Sequence, residues 1–185
     1  MILEHHPHPA LFFHTHSSCI NAGQPHTIAG SGVFFGFGSL LNCSNCVPGT
    51  PSKNCTDLSA ILLALQLTPT DHPLLIHTSS DFVIKSLTYW APGRARCGWP
   101  GTDSNLLKCI TCWIASCSAP VKLIKVKADS TNQHHHNAAF LAKSACNLPL
   151  PPDGDFDDPL AVPPPDAFIP PLSSLIQPKI STNLP

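Results

Sequence analysis

NCTDLSAILLALQL, residues 54–67, is the stretch that decides the fold of this 185-residue chain. Its leucines, isoleucine and alanines recur at helical spacing and make almost the whole circumference apolar. A helix with this pattern lies at the centre of a protein, with neighbours on most sides. We therefore predict a central helix of about 12 residues, which is too short to cross a bilayer, where about 20 are needed.

The start of this helix carries its polar groups. Asn54 or Thr56 is the predicted N-cap, because both side chains can accept a hydrogen bond from a free backbone N–H. Asp57 then falls in the first turn, where the helix dipole favours a carboxylate. The segment is predicted to hold one acid at the mouth of a buried helix.

The overall charge limits one class of function, the binding of polyanions. The chain has 10 Lys and Arg residues, 11 Asp and Glu residues and a net charge of −1. With 11% charged residues, it is well below the usual quarter. The overall field predicts no strong attraction to nucleic acid or to a membrane surface, so binding of a polyanion would need a local basic patch.

The cysteine count and the amino-terminal residues predict the compartment. Nine cysteines are an odd number, and residues 1–16 lack the cationic start and long apolar core of a signal peptide. We expect an intracellular protein, of the nucleus or cytoplasm and not secreted, with reduced thiols. We also expect a monomer that does not bind membranes.

Periodicity along the chain predicts an α/β fold. We predict strands at residues 10–17, 27–38, 40–47, 73–78 and 121–128, helices at residues 54–67, 81–90, 105–116 and 136–145, and a long loop at residues 92–103. An antiparallel meander is thus followed by βαβ units. This order predicts a mixed five-stranded sheet with helices on both faces.

The two ends of the chain differ in composition from this domain. Residues 1–9 are rich in His and Pro and are predicted to be a disordered lead-in to a domain at residues 10–146. Residues 147–185 are acidic and so rich in proline that they are predicted to form a disordered tail. The tail is either a recognition arm, which could mask a basic groove, or an extension without a partner.

Six stretches, in this order, resemble ribonuclease H of type 1. They are HTHSSCINAG, IAGSGVFFG, NCTDLSAILLAL, LLIHTSSDFVIKSL, YWAPGRARCGW and HNAAFLAKSA. The family has Thr-Asp-Gly-Ser in the first stretch, Asn-x-x-Glu-Leu in the third and Thr-Asp-Ser in the fourth. The resemblance covers residues 11–146 and implies the RNase H-like fold.

The resemblance implies that two Mg²⁺ ions, held by four carboxylates, hydrolyse the RNA strand of RNA/DNA hybrids. Here the four positions carry His16, Asp57, Ser79 and Ala139, and the assisting loop histidine of the family falls on Asp129. One carboxylate in four remains. An imidazole at the first position favours Zn²⁺ or Cu²⁺ over Mg²⁺.

We expect two-metal hydrolysis to be lost, with no Mg²⁺ bound and weak nucleic-acid binding remaining. Asp57 and His16 are the remaining candidate metal ligands. Two alternatives stay open. Asp81 or Asp129 could replace a missing ligand, which would give an active metal-dependent ribonuclease H. The chain could also be a decayed copy from a mobile element, without function.

The resemblance also implies a surface for an RNA/DNA hybrid or another nucleic acid. Its positions here are Asn54, Cys19, Trp90, Arg94, Arg96 and Trp99. Aromatic rings interleaved with cations suit base stacking and phosphate binding. In the alternative interpretation the tryptophans belong to the core and the arginines are solvated. With so few basic residues, any binding is expected to be weak and sensitive to salt.

Two further patterns suggest metal binding. Cys43 and Cys46 form one CxxC pair, and Cys109 and Cys112 form another. About sixty residues separate the pairs, against the 15–20 of a zinc ribbon, so burial in the core is the better interpretation. The run of three histidines at residues 134–136 is expected to be solvated, because consecutive residues rarely point at one ion. In the alternative interpretation, one of them joins His16 and Asp57 in a site for a transition metal.

Overall fold

The computed structural model describes residues 6–49, 51–128, 131–149 and 180–183. Its strands are β1 (Leu11–Ile20), β2 (Ile28–Phe34), β3 (Cys43–Val47), β4 (Leu74–Thr78), β5 (Val121–Lys125) and β6 (Ile180–Asn183). They form one sheet in the order β3-β2-β1-β4-β5-β6. β2 is antiparallel to β1 and β3, whereas β4, β5 and β6 continue the sheet in parallel with β1.

The helices lie where the pattern predicts them, with one correction. They are α1 (Lys53–Gln66), α2 (Asp81–Lys85), a π-helical turn (Ser86–Trp90), α3 (Ala91–Arg96), α4 (Ser104–Ser116) and α5 (Gln133–Ala145). The prediction of a loop at residues 92–103 is wrong for its first five residues, because helical backbone continues to Arg96. Pro92 does not stop it, because it lies just after the π-helical turn, in the first turn of α3.

The predicted mixed sheet of five strands is confirmed as β1 to β5. A sixth strand, β6, comes from the tail predicted to be disordered, and it pairs in parallel with β5 from Val121 to Ile124. The sequence did not predict this strand, because a segment of four residues in a proline-rich tail is too short to show the alternating pattern of a strand. The open edge of β5, however, presents unpaired backbone groups to which a strand can bond. The predictions for residues 1–5, 129–130, 150–179 and 184–185 lie outside the described residues.

The N-cap of α1 lies two residues before Asn54, the nearer of the two predicted caps. Ser52 is the N-cap, and its hydroxyl accepts a hydrogen bond of 3.0 Å from the backbone N–H of Cys55. The helix therefore begins at Lys53, and Asp57 lies beyond its first turn. The sequence did not distinguish the N-cap, because the side chains of Asn54 and Thr56 are as suitable for capping as that of Ser52.

α1 is the central helix that its apolar circumference predicts. Leu58, Ile61, Leu62 and Ala64 are fully buried, between the sheet on one side and α4 on the other. The matching face of the sheet contributes Phe13, whose ring is fully buried in the same core. None of the helices in the described ranges has the length and apolar character needed to cross a membrane.

β2 separates the two helical layers. The Ser31 hydroxyl points towards α1 and donates to the carbonyl oxygen of Thr56. Gly30 and Gly32 face the other way, directly against the backbone of α5. Since successive residues of a strand point to opposite faces, α1 and α5 cover opposite sides of the sheet.

The carboxyl ends of β1 and β4 define the edge where polar groups gather. Their parallel pairing runs from Leu11 opposite Leu74 to Thr15 opposite Thr78. His16 and Ser79 come directly after the last pair. The N-terminal part of α1 passes the same edge, which brings Asp57 to these residues.

We predict that Gly32→Ala strongly destabilises the protein. A Cβ at this position would lie 2.5 Å from the backbone nitrogen of Ala142 and would also meet the carbonyl oxygen of Ala138. Backbone atoms of α5 cannot yield without moving the helix, so the free energy of unfolding should fall by about 3 kcal/mol. Urea denaturation measures this change.

Gly93→Ala is the matched control. A Cβ at Gly93 meets no atom within 4 Å, and this residue lies in α3, where alanine is the better helix former. Equal stabilities for Gly32→Ala and the unchanged protein would contradict the close packing of α5 on β2.

Candidate active site and nucleic-acid surface

The residues at the carboxyl edge of β1 and β4 enclose a small cavity. Its volume is about 10 Å³, which is room for about one water molecule. The lining is polar and includes the side chains of Thr15, His16, Ser17, Lys53, Asp57, Thr78 and Ser79. The structure thus brings together three of the predicted site residues, His16, Asp57 and Ser79.

Asp57 is fully engaged with its neighbours. Its Oδ1 accepts a short hydrogen bond from the Ser17 hydroxyl and lies 2.9 Å from the ammonium group of Lys53. The same ammonium group lies 2.8 Å from Ser17 Oγ. The Asp57 side chain is only 11% exposed, so this carboxylate is held among a hydroxyl and a cation rather than in water.

Sequence reasoning missed Ser17 and Lys53. The spacing of Lys53 and Asp57 was the available signal, because residues four apart on a helix are neighbours on its surface. Ser17 had no such signal. Its role depends on the alternation of β1, which turns Ser17 towards α1 and His16 towards α5.

His16 borders the cavity but belongs mainly to the other face of the sheet. Its ring centroid lies 5.0 Å from that of His135 on α5, and its Nδ1 is buried without a hydrogen-bond partner. Burial, and then the nearby ammonium group of Lys53, lower the pKa of His16 below the usual value of 6.5. The imidazole is therefore neutral at physiological pH.

His16 joins a cluster of imidazoles between β1, β4 and α5. The ring of His14 lies 4.4 Å from that of His77, 5.6 Å from that of His134 and 6.2 Å from that of His135. Burial, followed by the neighbouring imidazoles, lowers the pKa of His14 to about 3 and that of His135 to about 4. The fold thus favours the neutral forms.

The expectation that the run at residues 134–136 is solvated is wrong for His135. Its side chain is 2% exposed, and neither ring nitrogen has a hydrogen-bond partner. The glycines of β2 cause this, because they let α5 pack so closely that one face of its first turn is covered. His136, one residue on, points outwards and is exposed.

Among the described residues, the other positions predicted for the family's site supply no carboxylate to the cavity. Ser79 contributes a hydroxyl, and its carbonyl oxygen accepts a bond of 2.7 Å from Lys125. Ala139 is a half-buried methyl group on α5. Asp81, a possible substitute ligand, pairs instead with Lys125 at 2.8 Å and is 63% exposed. Asp129 lies outside the described residues.

The predicted nucleic-acid surface is partly assembled. Trp90 and Arg94 line one open depression of about 450 Å³, together with Tyr89 and Gly93. Tyr89 and Trp90 are 63% and 41% exposed, so their rings are accessible from solution. Sequence reasoning missed Tyr89, although it adjoins Trp90.

The other predicted contacts lie apart from this depression. Arg96 is exposed at the end of α3, and Asn54 is exposed in the first turn of α1. Trp99 has a positive φ of 62° and packs partly buried against the core. Cys19 is half-buried, with its Sγ 3.8 Å from the carbonyl oxygen of Pro51.

The cysteine pairs contribute to packing. All nine cysteines lie in the described ranges, and none forms a disulfide there. Cys46 and Cys112 are buried, while Cys43 and Cys109 pack against the hydrophobic core. Within these ranges the four side chains do not converge into a group able to hold a metal ion.

The sequence as a whole identifies the family. A sequence profile of RNase H matches residues 8–147. The chain belongs to the RNase H family.

Individual relatives agree. Ribonuclease H of Schizosaccharomyces pombe is 32% identical over 131 residues, which are 68% of this chain and 49% of that protein. Ribonuclease H1 of Homo sapiens is 30% identical over 88 residues, which are 46% of this chain and 31% of that protein. The chain thus spans half or less of the length of these relatives.

Solved structures show the same fold. LC9-RNase H1, a type 1 RNase H with the type 2 active-site motif, matches 76% of this chain and 74% of its own, with a TM-score of 0.60 and 20% identity. The foamy viral protease-reverse transcriptase in complex with dsDNA covers 79% of this chain and 97% of its own, with a TM-score of 0.61 and 19% identity. The same viral protein is also known in complex with an RNA/DNA hybrid.

We predict that His135 makes the protein sensitive to mild acid. Its folded-state pKa of about 4 lies below the unfolded value of 6.5, so the unfolded state binds more protons as the pH falls below 6.5. Between pH 7.5 and pH 5, this group alone should lower the free energy of unfolding by about 1–2 kcal/mol. His135→Leu should remove that part of the loss in urea denaturation.

The surroundings of His135 sharpen this test. The charged forms of His16, His77 and His136 would add to the repulsion, so acid should affect the cluster as a unit. His26→Ala, in an exposed turn, is the control and should keep the full acid sensitivity. An unchanged pH dependence in His135→Leu would rule out the cluster as the source.

Proposed function

We propose that this chain is an RNase H-fold protein that binds nucleic acid but has lost Mg²⁺-dependent hydrolysis of RNA/DNA hybrids. The main support for this proposal is that Asp57 is already paired with Ser17 and Lys53. The carboxylate that corresponds to the family's central-helix ligand accepts hydrogen bonds from Ser17 and Lys53. A cationic side chain thus lies beside the one retained acid.

The donor set supports the loss of the metal pair. Mg²⁺ prefers six oxygen ligands in a nearly ideal octahedron, and the two-metal mechanism needs two such ions about 3.5–4 Å apart. Among the described residues, Asp57 is the one carboxylate in the cavity lining. His16 offers nitrogen, and Ser79 offers a neutral hydroxyl. These residues do not fit a pair of Mg²⁺ ions.

The charge balance supports the same conclusion. Lys53 offsets the charge of Asp57 at 2.9 Å, so an arriving dication would meet a nearly neutral site that contains an ammonium group. Binding there would require breaking the ion pair and displacing the lysine. Since Asp81 is already paired with Lys125, it does not provide a ready replacement ligand.

Nucleic-acid binding is proposed for the surface around the π-helical turn. The exposed rings of Tyr89 and Trp90 can stack on bases or sugars, and Arg94 can bind a phosphate beside them. Arg96 extends the positive charge at the end of α3. The proposed ligand is a hybrid or other nucleic acid recognised through its backbone and shape rather than its sequence.

We predict that the protein does not cleave an RNA/DNA hybrid in Mg²⁺ or Mn²⁺. With labelled hybrid and excess protein, product formation should be no faster than with Asp57→Ala, because the carboxylates that would hold the ions are missing. A gel of labelled RNA fragments over time measures this. Cleavage by the unchanged protein that disappears in Asp57→Ala would instead support an active ribonuclease.

We predict weak, salt-dependent binding of the same hybrid. The double variant Arg94→Ala/Arg96→Ala should bind about tenfold more weakly at low salt and should show a shallower dependence on salt, because it releases fewer counterions. Fluorescence anisotropy at several salt concentrations measures both quantities. Lys122→Ala, in β5 and outside the lining of the depression, is the control and should bind like the unchanged protein. Binding that is unaffected in the double variant would contradict this surface.

A further inference from the structure

A second polar cluster lies at the other end of β1 and β4. It consists of His8, just before β1, and of Asp71 and His72, just before β4. The backbone N–H of Leu11 donates to the carbonyl oxygen of Pro73 at 2.8 Å, which ties the two segments together beside the cluster. This is the amino edge of the parallel strands, opposite the cavity around Asp57.

The atoms of this cluster are spaced like ligands of one metal ion. His8 Nε2 lies 3.4 Å from Asp71 Oδ2, and His72 Nδ1 lies 2.8 Å from Asp71 Oδ1. All three ligand atoms lie within 4.8 Å of one another. Bonds of 2.0–2.1 Å in a tetrahedron place neighbouring ligand atoms about 3.3 Å apart, which is close to both distances measured to Asp71.

We propose that His8, Asp71 and His72 form a binding site for one Zn²⁺ ion, with water as the fourth ligand. Two imidazole nitrogens and one carboxylate oxygen are ligands of the type that zinc takes in proteins. Mg²⁺ is a poor match, because it prefers an octahedron of oxygens. The site is separate from the family's metal position and does not depend on the proposed function.

The partners of Asp71 are themselves groups of the type that zinc binds. Asp71 lies between two imidazoles, those of His8 and His72, and not beside an ammonium group. Asp57 differs in this respect, because the ammonium group of Lys53 lies 2.9 Å from its carboxylate.

The cluster is accessible from solution. The side chains of His8, Asp71 and His72 are 44%, 53% and 23% exposed, so an ion can enter. The rings of His8 and His72 stack at 4.6 Å with an angle of 19° between them, so one ring must turn before both nitrogens can point at the same ion. Zinc would join the segment before β1 to the loop between α1 and β4, and it would stabilise the folded state.

Calorimetric titration of the full chain with ZnCl₂ at neutral pH tests the proposal. We expect one site, about tenfold or more weaker in Asp71→Asn and in His72→Ala, because even losing a supporting residue costs a zinc site 10–100-fold. His26→Ala, which changes an exposed histidine in another turn, should bind like the unchanged protein. MgCl₂ should give no binding at this site.

A thermal melt supplies an independent measure. Excess Zn²⁺ should raise the melting temperature by about 5 °C, and this rise should be lost in Asp71→Asn and His72→Ala. Asp71 is exposed, so the melting temperature of Asp71→Asn without metal should stay close to that of the unchanged protein. His72 is 23% exposed and stacks on His8, so the measure for His72→Ala is the shift in its own melting temperature when Zn²⁺ is added. Equal zinc affinity in these variants, or zinc binding that disappears in His135→Leu instead, would overturn the proposal.

Discussion

The close contact of β2 with both helical layers is the constraint on which the rest of the structure depends. Gly30 and Gly32 have no side chains on one face of β2, so the backbone of α5 packs directly against them. On the other face, Ser31 bonds to α1 through the carbonyl oxygen of Thr56. The sheet is thus held between two helices at a fixed distance. This arrangement places α5 over the histidines of β1 and places the start of α1 over Ser17.

The same packing divides the candidate site into two parts that differ in chemistry. On the α1 side, Asp57 is joined to Ser17 and Lys53, so the charges nearly cancel. On the α5 side, neutral imidazoles fill the space, and the nitrogens of His135 have no hydrogen-bond partners. Such nitrogens cost stability, and protonation would cost more, because each added charge would be buried beside other imidazoles. Among the described residues, neither part contains several carboxylates close enough to bind the same metal ion.

The fold could be predicted from the sequence because its signals are local and agree with one another. The apolar circumference of residues 54–67 and the short buried strand at Leu74–Thr78 each set their own structure. The site was harder to predict, since it depends on contacts between distant residues. The bond between Ser17 and Asp57 spans 40 positions. The burial of His135 follows from glycines on β2, and no pattern around the histidine itself reveals it.

The charges around Asp57 also affect how the fold is stabilised. Carboxylates that converge on one site repel each other until a cation binds, which raises the free energy of the metal-free protein. Here His16, Ser79 and Ala139 add no negative charge beside Asp57, and Lys53 supplies a positive charge from the same helix. Lys53 therefore balances the negative charge of Asp57 without a bound cation. The proposed function therefore implies a domain that folds without Mg²⁺ at this edge, with a stability that does not depend on that ion.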